Sequence, residues 1–216
     1  MNRYLLIVVG ASLVAPAALA EPVTYRIDPE KSEVVAITKP AGIGAGLSHH
    51  HLLEAKGLEG QVVHDAAAPE RSSVEISAPT TRLVNDDPAA LQRHGLKAAL
   101  SEDDRKKVAG SIQGADQLDG PKFPRLSFKS TSARPLGNGK LELVGQLSIR
   151  GVGREVKLPV TVAVAADGTL RGEGKLQITH TQFGFKPASL LLGAIANADE
   201  VEIEVKLVAA PAAPKP

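Results

Sequence analysis

Along most of the chain apolar and polar residues alternate with a period of two. That period puts every second side chain on one face of a β-strand. Residues 24–38 read as a first strand with a break at Asp28-Pro29. Residues 54–65 read as a second, bent or bulged at Gly57 and Gly60. Residues 72–84 form a third, with Val74, Ile76 and Ala78 on one face and Glu75 and Ser77 on the other. Three strand-like runs then follow one another between Phe123 and Val164. The first reversal falls at Gly137-Asn138-Gly139, where Asn-Gly suits a type I′ turn because both central positions need φ > 0. The second falls at Gly151-Val152-Gly153. Residues 170–181 carry Gly172, Gly174, Leu176 and Ile178 on one face. In the last strand Val201, Ile203, Val205 and Leu207 alternate with Glu202, Glu204 and Lys206.

The period changes in three places. Asp87-Pro88 is an N-cap followed by proline at the first helical position, and opens a short helix. Ser101 followed by Glu102, Asp103 and Asp104 opens a second, ending near Gly114. It is mostly polar, with a narrow apolar stripe through Val108 and Ile112, and reads as a surface insertion. Residues 187–198, around Leu190-Leu191-Leu192, read as a short apolar helix that plugs one end of the fold or lies over it as a lid.

The strand signals number about eight, and their connections suit antiparallel neighbours. An even antiparallel set with one apolar face removes its edges by closing on itself. The expected fold is therefore all-β: an eight-stranded antiparallel barrel with short helical insertions. Eight strands leave room for side chains or for one slim ligand. Only four Phe, two Tyr and no Trp occur in 216 residues, so few large rings can fill the middle. The residues leave two outcomes open, a squashed self-filled barrel or an elongated apolar cavity.

Composition narrows the setting. Arg3, the apolar run 5–15 and Ala18-Leu19-Ala20 form a signal peptide over residues 1–20, with cleavage expected after Ala20. A periplasmic or secreted location follows from it. The mature chain has no other apolar run long enough to span a bilayer. Removing Arg3 from a chain of formal charge +1 leaves it neutral, which argues against nucleic acid as a partner. With no Cys, an exported fold relies on its core alone. The barrel domain is expected over residues 21–208, followed by a disordered Pro/Ala-rich tail over 209–216.

Several segments resemble, in order, the YceI-like family of secreted lipid-binding proteins. They are Tyr25-Arg-Ile-Asp28 with Ser32-Glu-Val34, then Phe123-Pro-Arg-Leu-Ser-Phe128-Lys-Ser130. Gly145-Gln-Leu-Ser-Ile-Arg-Gly151 with Val156-Lys-Leu-Pro-Val160 follows, then Phe183-Gly184-Phe185. The resemblance implies a lipocalin-like barrel that is exported and holds a long apolar chain, a polyisoprenoid or a related lipid such as an isoprenoid quinone. It implies no catalytic residues. Inward positions that would bind such a lipid are Val34, Ala36, Val74, Ile76, Phe128, Leu147, Ile149, Val162, Ile178, Ile203 and Val205, with Phe183 and Phe185 near one mouth. Burying about 400 Å² of hydrocarbon at roughly 25 cal/mol per Å² is worth on the order of 10 kcal/mol before the costs of association.

Other candidate chemistry is sparse. In Ser48-His49-His50-His51, an extended backbone points His49 and His51 the same way and His50 the opposite way. His49 and His51 are therefore candidate metal ligands, with His64, His94 or His180 as candidate thirds. A contact to a ligand head group, or a plain solvated loop, explains the same residues. Gly42-Ile-Gly-Ala-Gly46 lacks the Lys-Ser/Thr of a phosphate loop and reads as a hinge at the barrel mouth. Asp86-Asp87 and Glu102-Asp103-Asp104 read as helix caps, and Arg105-Lys106-Lys107 as a solvated face complementing the second set. No Gly-x-Ser-x-Gly elbow and no Cys nucleophile occurs, so a binding protein is favoured over an enzyme. The pattern leaves the oligomeric state open, a dimer included. Alternation alone does not separate a dimer's exposed apolar strip from a barrel's lining.

Overall fold

The computed structural model of the chain describes residues 21–47, 49–98, 100–190 and 194–213. The expected signal peptide lies outside them. Strands β1 (Val23–Ile27), β2 (Glu33–Ala41), β3 (His51–Ala55), β4 (Glu59–His64), β5 (Ser73–Pro79) and β6 (Leu83–Asn85) come first. Helices α1 (Pro88–Arg93) and α2 (Glu102–Gln113) follow. Then come β7 (Arg125–Gly137), β8 (Lys140–Ile149), β9 (Val152–Val164), β10 (Leu170–Thr179), β11 (Ser189–Leu190) and β12 (Ile195–Pro211).

Eight strands close a ring in the order β1-β4-β5-β7-β8-β9-β10-β12, and β12 returns to β1. Every pairing is antiparallel. The three strands expected at the start are each broken in two. Asp28 makes the first break: its Oδ1 accepts from the backbone N–H of Glu30 at 3.1 Å and of Lys31 at 3.3 Å, which turns the chain before Pro29 can extend it. β12 is long enough to serve both halves, pairing its Ala209–Pro211 end with β1 and its Ala196–Lys206 part with β2. Gly57, at φ +68°, lies in the second break, between β3 and β4. A 3-10 turn over Thr80–Arg82 makes the third, between β5 and β6.

At one end of the barrel the wall is thus the closed ring. At the other, β2, β3 and β6 continue it, and α2 packs beside β6. The Asn85 side-chain amide donates to Arg105 O at 3.2 Å, and that of Gln113 donates to Thr80 O at 2.8 Å. Both helices start where the sequence placed them. Asp87 accepts from Ala90 N at 2.9 Å, and the Ser101 hydroxyl accepts from Asp104 N at 3.2 Å. α1 covers the outside of β2 and β3, where Val35, Leu52, Ala90 and Leu91 form a buried group. The alternate residues of β2, Val34 and Ala36, face the barrel interior.

Asn138 and Gly139 both have positive φ and join β7 to β8 as a two-residue turn. The next reversal falls one position earlier than expected. Arg150 (φ +52°) and Gly151 (φ +72°) form it, and Val152 and Gly153 already belong to β9. Two expectations fail. The described residues of 187–198 form no helix: Ser189 pairs with Ala196 and Leu190 with Ile195, because the start of β12 offers an unpaired edge there. Leu191 and Leu192 lie outside the described residues. Nor does the barrel stop at 208. Ala209, Ala210 and Pro211 pair with Ile27, Arg26 and Tyr25, and Ala209 is fully buried.

A layer of ion pairs ties α1 to the wall. Arg93 Nη2 lies 2.9 Å from Glu33 Oε1, and Lys206 Nζ lies 3.8 Å from Glu33 Oε2. His94, nearly buried, lies 3.3 Å from both Glu33 and Glu204. Burial pushes the Glu33 carboxyl up, but Arg93, His94 and Lys206 outweigh it and hold it below the ordinary glutamate value. A carboxyl whose folded pKa is depressed adds stability above its unfolded value, about 4.3, and loses it as pH falls towards the folded value. Urea melts from pH 6 down to pH 3 are therefore expected to show stability falling below about pH 4.5. Glu33→Gln should flatten that fall; a wild-type slope in the variant would remove Glu33 from its cause.

Candidate functional site

The barrel interior holds a cavity of about 880 Å³. Its wall is mostly aliphatic, as a chain with so few rings requires, and three of the four Phe (Phe128, Phe183 and Phe185) stand in it. All the inward positions read from the alternation lie along it: Val34, Ala36, Val74, Ile76, Phe128, Leu147, Ile149, Val162, Ile178, Phe183, Phe185, Ile203 and Val205. The far end is closed by the packed group of Tyr25, Ile27, Leu170 and Ala209, where β1 meets the end of β12. The other end is bounded by α2, the approach to β3 and the start of β12. Polar side chains gather there: Thr38, His49, His51, Lys107, Gln117, His180 and Asn197.

α2 belongs to the cavity as well as to the surface. Val108 and Ile112 line it, with Leu100 before the helix and Leu118 after it. The four-residue spacing of Val108 and Ile112 was the signal in the sequence, and what it packs against is now visible.

The structure brings His49 and His51 together, with ring centroids 4.6 Å apart and planes at 62°. Their third neighbour is none of the expected histidines. His64 Nδ1 faces the Ser72 hydroxyl at 3.4 Å, His94 sits between Glu33 and Glu204, and His180 Nδ1 lies 2.9 Å from Asp199 O. Instead Asp86 completes the group, and one donor atom from each of His49, His51 and Asp86 lies within 4.8 Å of the others. Asp86 is therefore not a helix cap, unlike Asp87 beside it. It follows β6 with φ +50°, and its own N–H donates to Leu52 O at 2.8 Å. Its carboxylate is fixed from two sides. Oδ1 accepts from Leu52 N at 2.9 Å, and Oδ2 lies 2.8 Å from His51 Nδ1.

Burial pushes the Asp86 carboxyl up, but the His51 hydrogen bond and the Leu52 N–H outweigh it and keep the group below the ordinary aspartate value. Burial, and then the neighbouring His51, push the His49 imidazole down against the pull of Asp86. His49 thus favours the neutral form, in which one ring nitrogen donates and the other is available as an acceptor or ligand. Its buried Nε2 has no hydrogen-bond partner.

The profile of the YceI-like domain matches residues 25–209, nearly the whole described fold. The chain belongs to the YceI-like family. Relatives within reach are distant in sequence. A UPF0312 protein of Pseudomonas putida strain W619 is 26% identical over 190 residues, covering 88% of this chain and 83% of its own. A UPF0312 protein of Shewanella baltica strain OS185 is 29% identical over 153 residues, covering 70% and 69%. Among solved structures, Burkholderia cenocepacia BcnA superposes with a TM-score of 0.65 at 25% identity, covering 84% of this chain and 98% of its own. A polyisoprenoid binding domain from Saccharophagus degradans, implicated in plant cell wall breakdown, gives a TM-score of 0.59 at 8% identity, covering 88% and 99%. At that identity the likeness is one of fold. The YceI-like barrel of these neighbours is the closed eight-stranded ring described above.

Proposed function

We propose that this protein is an exported binding protein, not an enzyme, which holds a long apolar chain in the barrel interior. The ligand class is a polyisoprenoid or a related lipid, an isoprenoid quinone included. The observation that carries this reading is the cavity itself. It is apolar along its length, closed at the Tyr25 end and polar at the end bounded by α2 and His49. A chain lying in it loses most of its contact with water, which is the main source of affinity for such a ligand. The polar end offers donors and acceptors to a head group, and so a fixed direction of binding. The Saccharophagus domain, described as polyisoprenoid binding, supports the ligand class through the shared fold. Residues 1–20 support export, since their charge, apolar run and small-x-small ending are those of a cleaved signal.

The protein, exported by its own signal and purified without detergent, is expected to carry a bound mass in native mass spectrometry. Organic solvent should release that mass as a long-chain lipid, and the protein should begin at Glu21. A bare protein mass from several preparations, with no uptake of added isoprenoid, would overturn the ligand reading. Retention of residues 1–20 in a cytoplasmic product would overturn export.

A further inference from the structure

We propose that His49, His51 and Asp86 form a binding site for one divalent transition-metal ion, of the Zn²⁺ or Cu²⁺ class, in the wall at the polar end of the cavity. Three observations carry it. First, the donors come from two separated segments, the start of β3 with the residues just before it and the residue after β6, yet the fold gathers them within 4.8 Å. Among the described residues no other set of three or more His, Cys, Asp or Glu donors converges in this way. Second, the carboxylate is held ready. Its Oδ1 accepts from Leu52 N at 2.9 Å, which anchors the buried carboxylate, and Oδ2 lies 2.8 Å from His51 Nδ1. Third, the His49 ring carries a buried Nε2 with no partner, a polar atom whose burial nothing in the barrel compensates. An ion between the three groups supplies that partner.

The donor set selects the class of ion. Two imidazoles and one carboxylate suit zinc and copper, whereas magnesium and calcium take mainly oxygen ligands. Three protein donors leave at least one coordination position, which water fills. His50 lies outside the group, so the three consecutive histidines do not act as one unit.

The site does not rest on the lipid reading, and the test separates the two. Untagged full-length protein is stripped of lipid with solvent and of metal with EDTA, refolded, and titrated with ZnCl₂ by calorimetry. Co²⁺ serves as the optical probe. Wild type is expected to bind one equivalent, and Co²⁺ to show the d–d absorption of nitrogen ligation. His49→Ala and Asp86→Asn should each weaken binding by at least about 100-fold, beyond the loss caused by removing an outer-shell partner. His50→Ala should bind as wild type does. Asp86→Asn keeps an oxygen for Leu52 N. Should it still misfold, His49→Ala carries the test, because the His49 Nε2 makes no hydrogen bond in the fold. No zinc uptake by folded wild type, or wild-type affinity in folded His49→Ala, would overturn the site.

Discussion

Leu147→Arg is expected to yield a folded barrel that no longer retains its apolar ligand. Leu147 lies on β8, paired with Phe128 of β7 and with Arg154 of β9, and faces the cavity. It packs against both core groups that flank the cavity, the one around Tyr25 and Leu170 and the one around Ile178 and Phe183. A guanidinium there has two effects of the same sign. It occupies volume a hydrocarbon chain would fill, and it draws water in, since leaving a charge unsolvated costs several kcal/mol. The cavity is large enough to hold the new side chain without overpacking, so the penalty falls on the ligand rather than on the sheet. Bound lipid per protein should drop at least about tenfold, a loss of roughly 1.4 kcal/mol or more in affinity. Lipid extraction and quantitation measure it, and circular dichroism reports the fold. If the barrel itself fails, Leu147→Trp fills the same space without charge and should also exclude ligand. Wild-type retention in either folded variant would mean that the ligand does not lie along Leu147.

Much of this was legible because strand periodicity depends on local chemistry. Val34, Ala36, Ile203 and Val205 could be placed inside by counting in twos, and the structure lines the cavity with them. The Asn138-Gly139 turn and the Asp87 and Ser101 caps are equally local. What the sequence hid was pairing over distance. Asp86 is 35 residues from His51, and it looks like a helix cap because Asp87, next to it, is one. The Leu-rich stretch after Pro187 has the composition of a helix, but Ser189 and Leu190, which open it, pair with the edge of β12 instead. Ala209 and Ala210 have no side chain that announces a strand, yet their backbone groups complete the ring against β1. The two glycines read as bends proved unequal. Gly57 lies in a break that sends β3 and β4 to different partners, whereas Gly60 sits inside a paired strand.

Gly60 therefore makes the sharper test of how the ring closes. It lies in β4 opposite Ile76 of β5, with φ +149°, a backbone region closed to residues with a side chain. A Cβ built there would stand 2.1 Å from Glu75 O and 2.9 Å from Ile76 Cα, both backbone atoms of the neighbouring strand. Neither can rotate away as a side chain would. Gly60→Ala must flip the local backbone or push β4 from β5, and β4 is one of the two strands, with β12, that hold β1 in the ring. Strain at such a residue costs about 1–3 kcal/mol, and overpacking about as much again. A loss of about 3–5 kcal/mol is expected in urea unfolding, among the largest single-residue effects a domain shows. Gly172→Ala is the control. It also lies in a barrel strand and lines the cavity, but a Cβ there meets nothing within 4 Å. The same change of one methyl group should leave stability within about 0.5 kcal/mol of wild type. Equal stability of the two variants would show that β4 and β5 yield to one another, and that close approach at Gly60 is not what holds this side of the barrel shut.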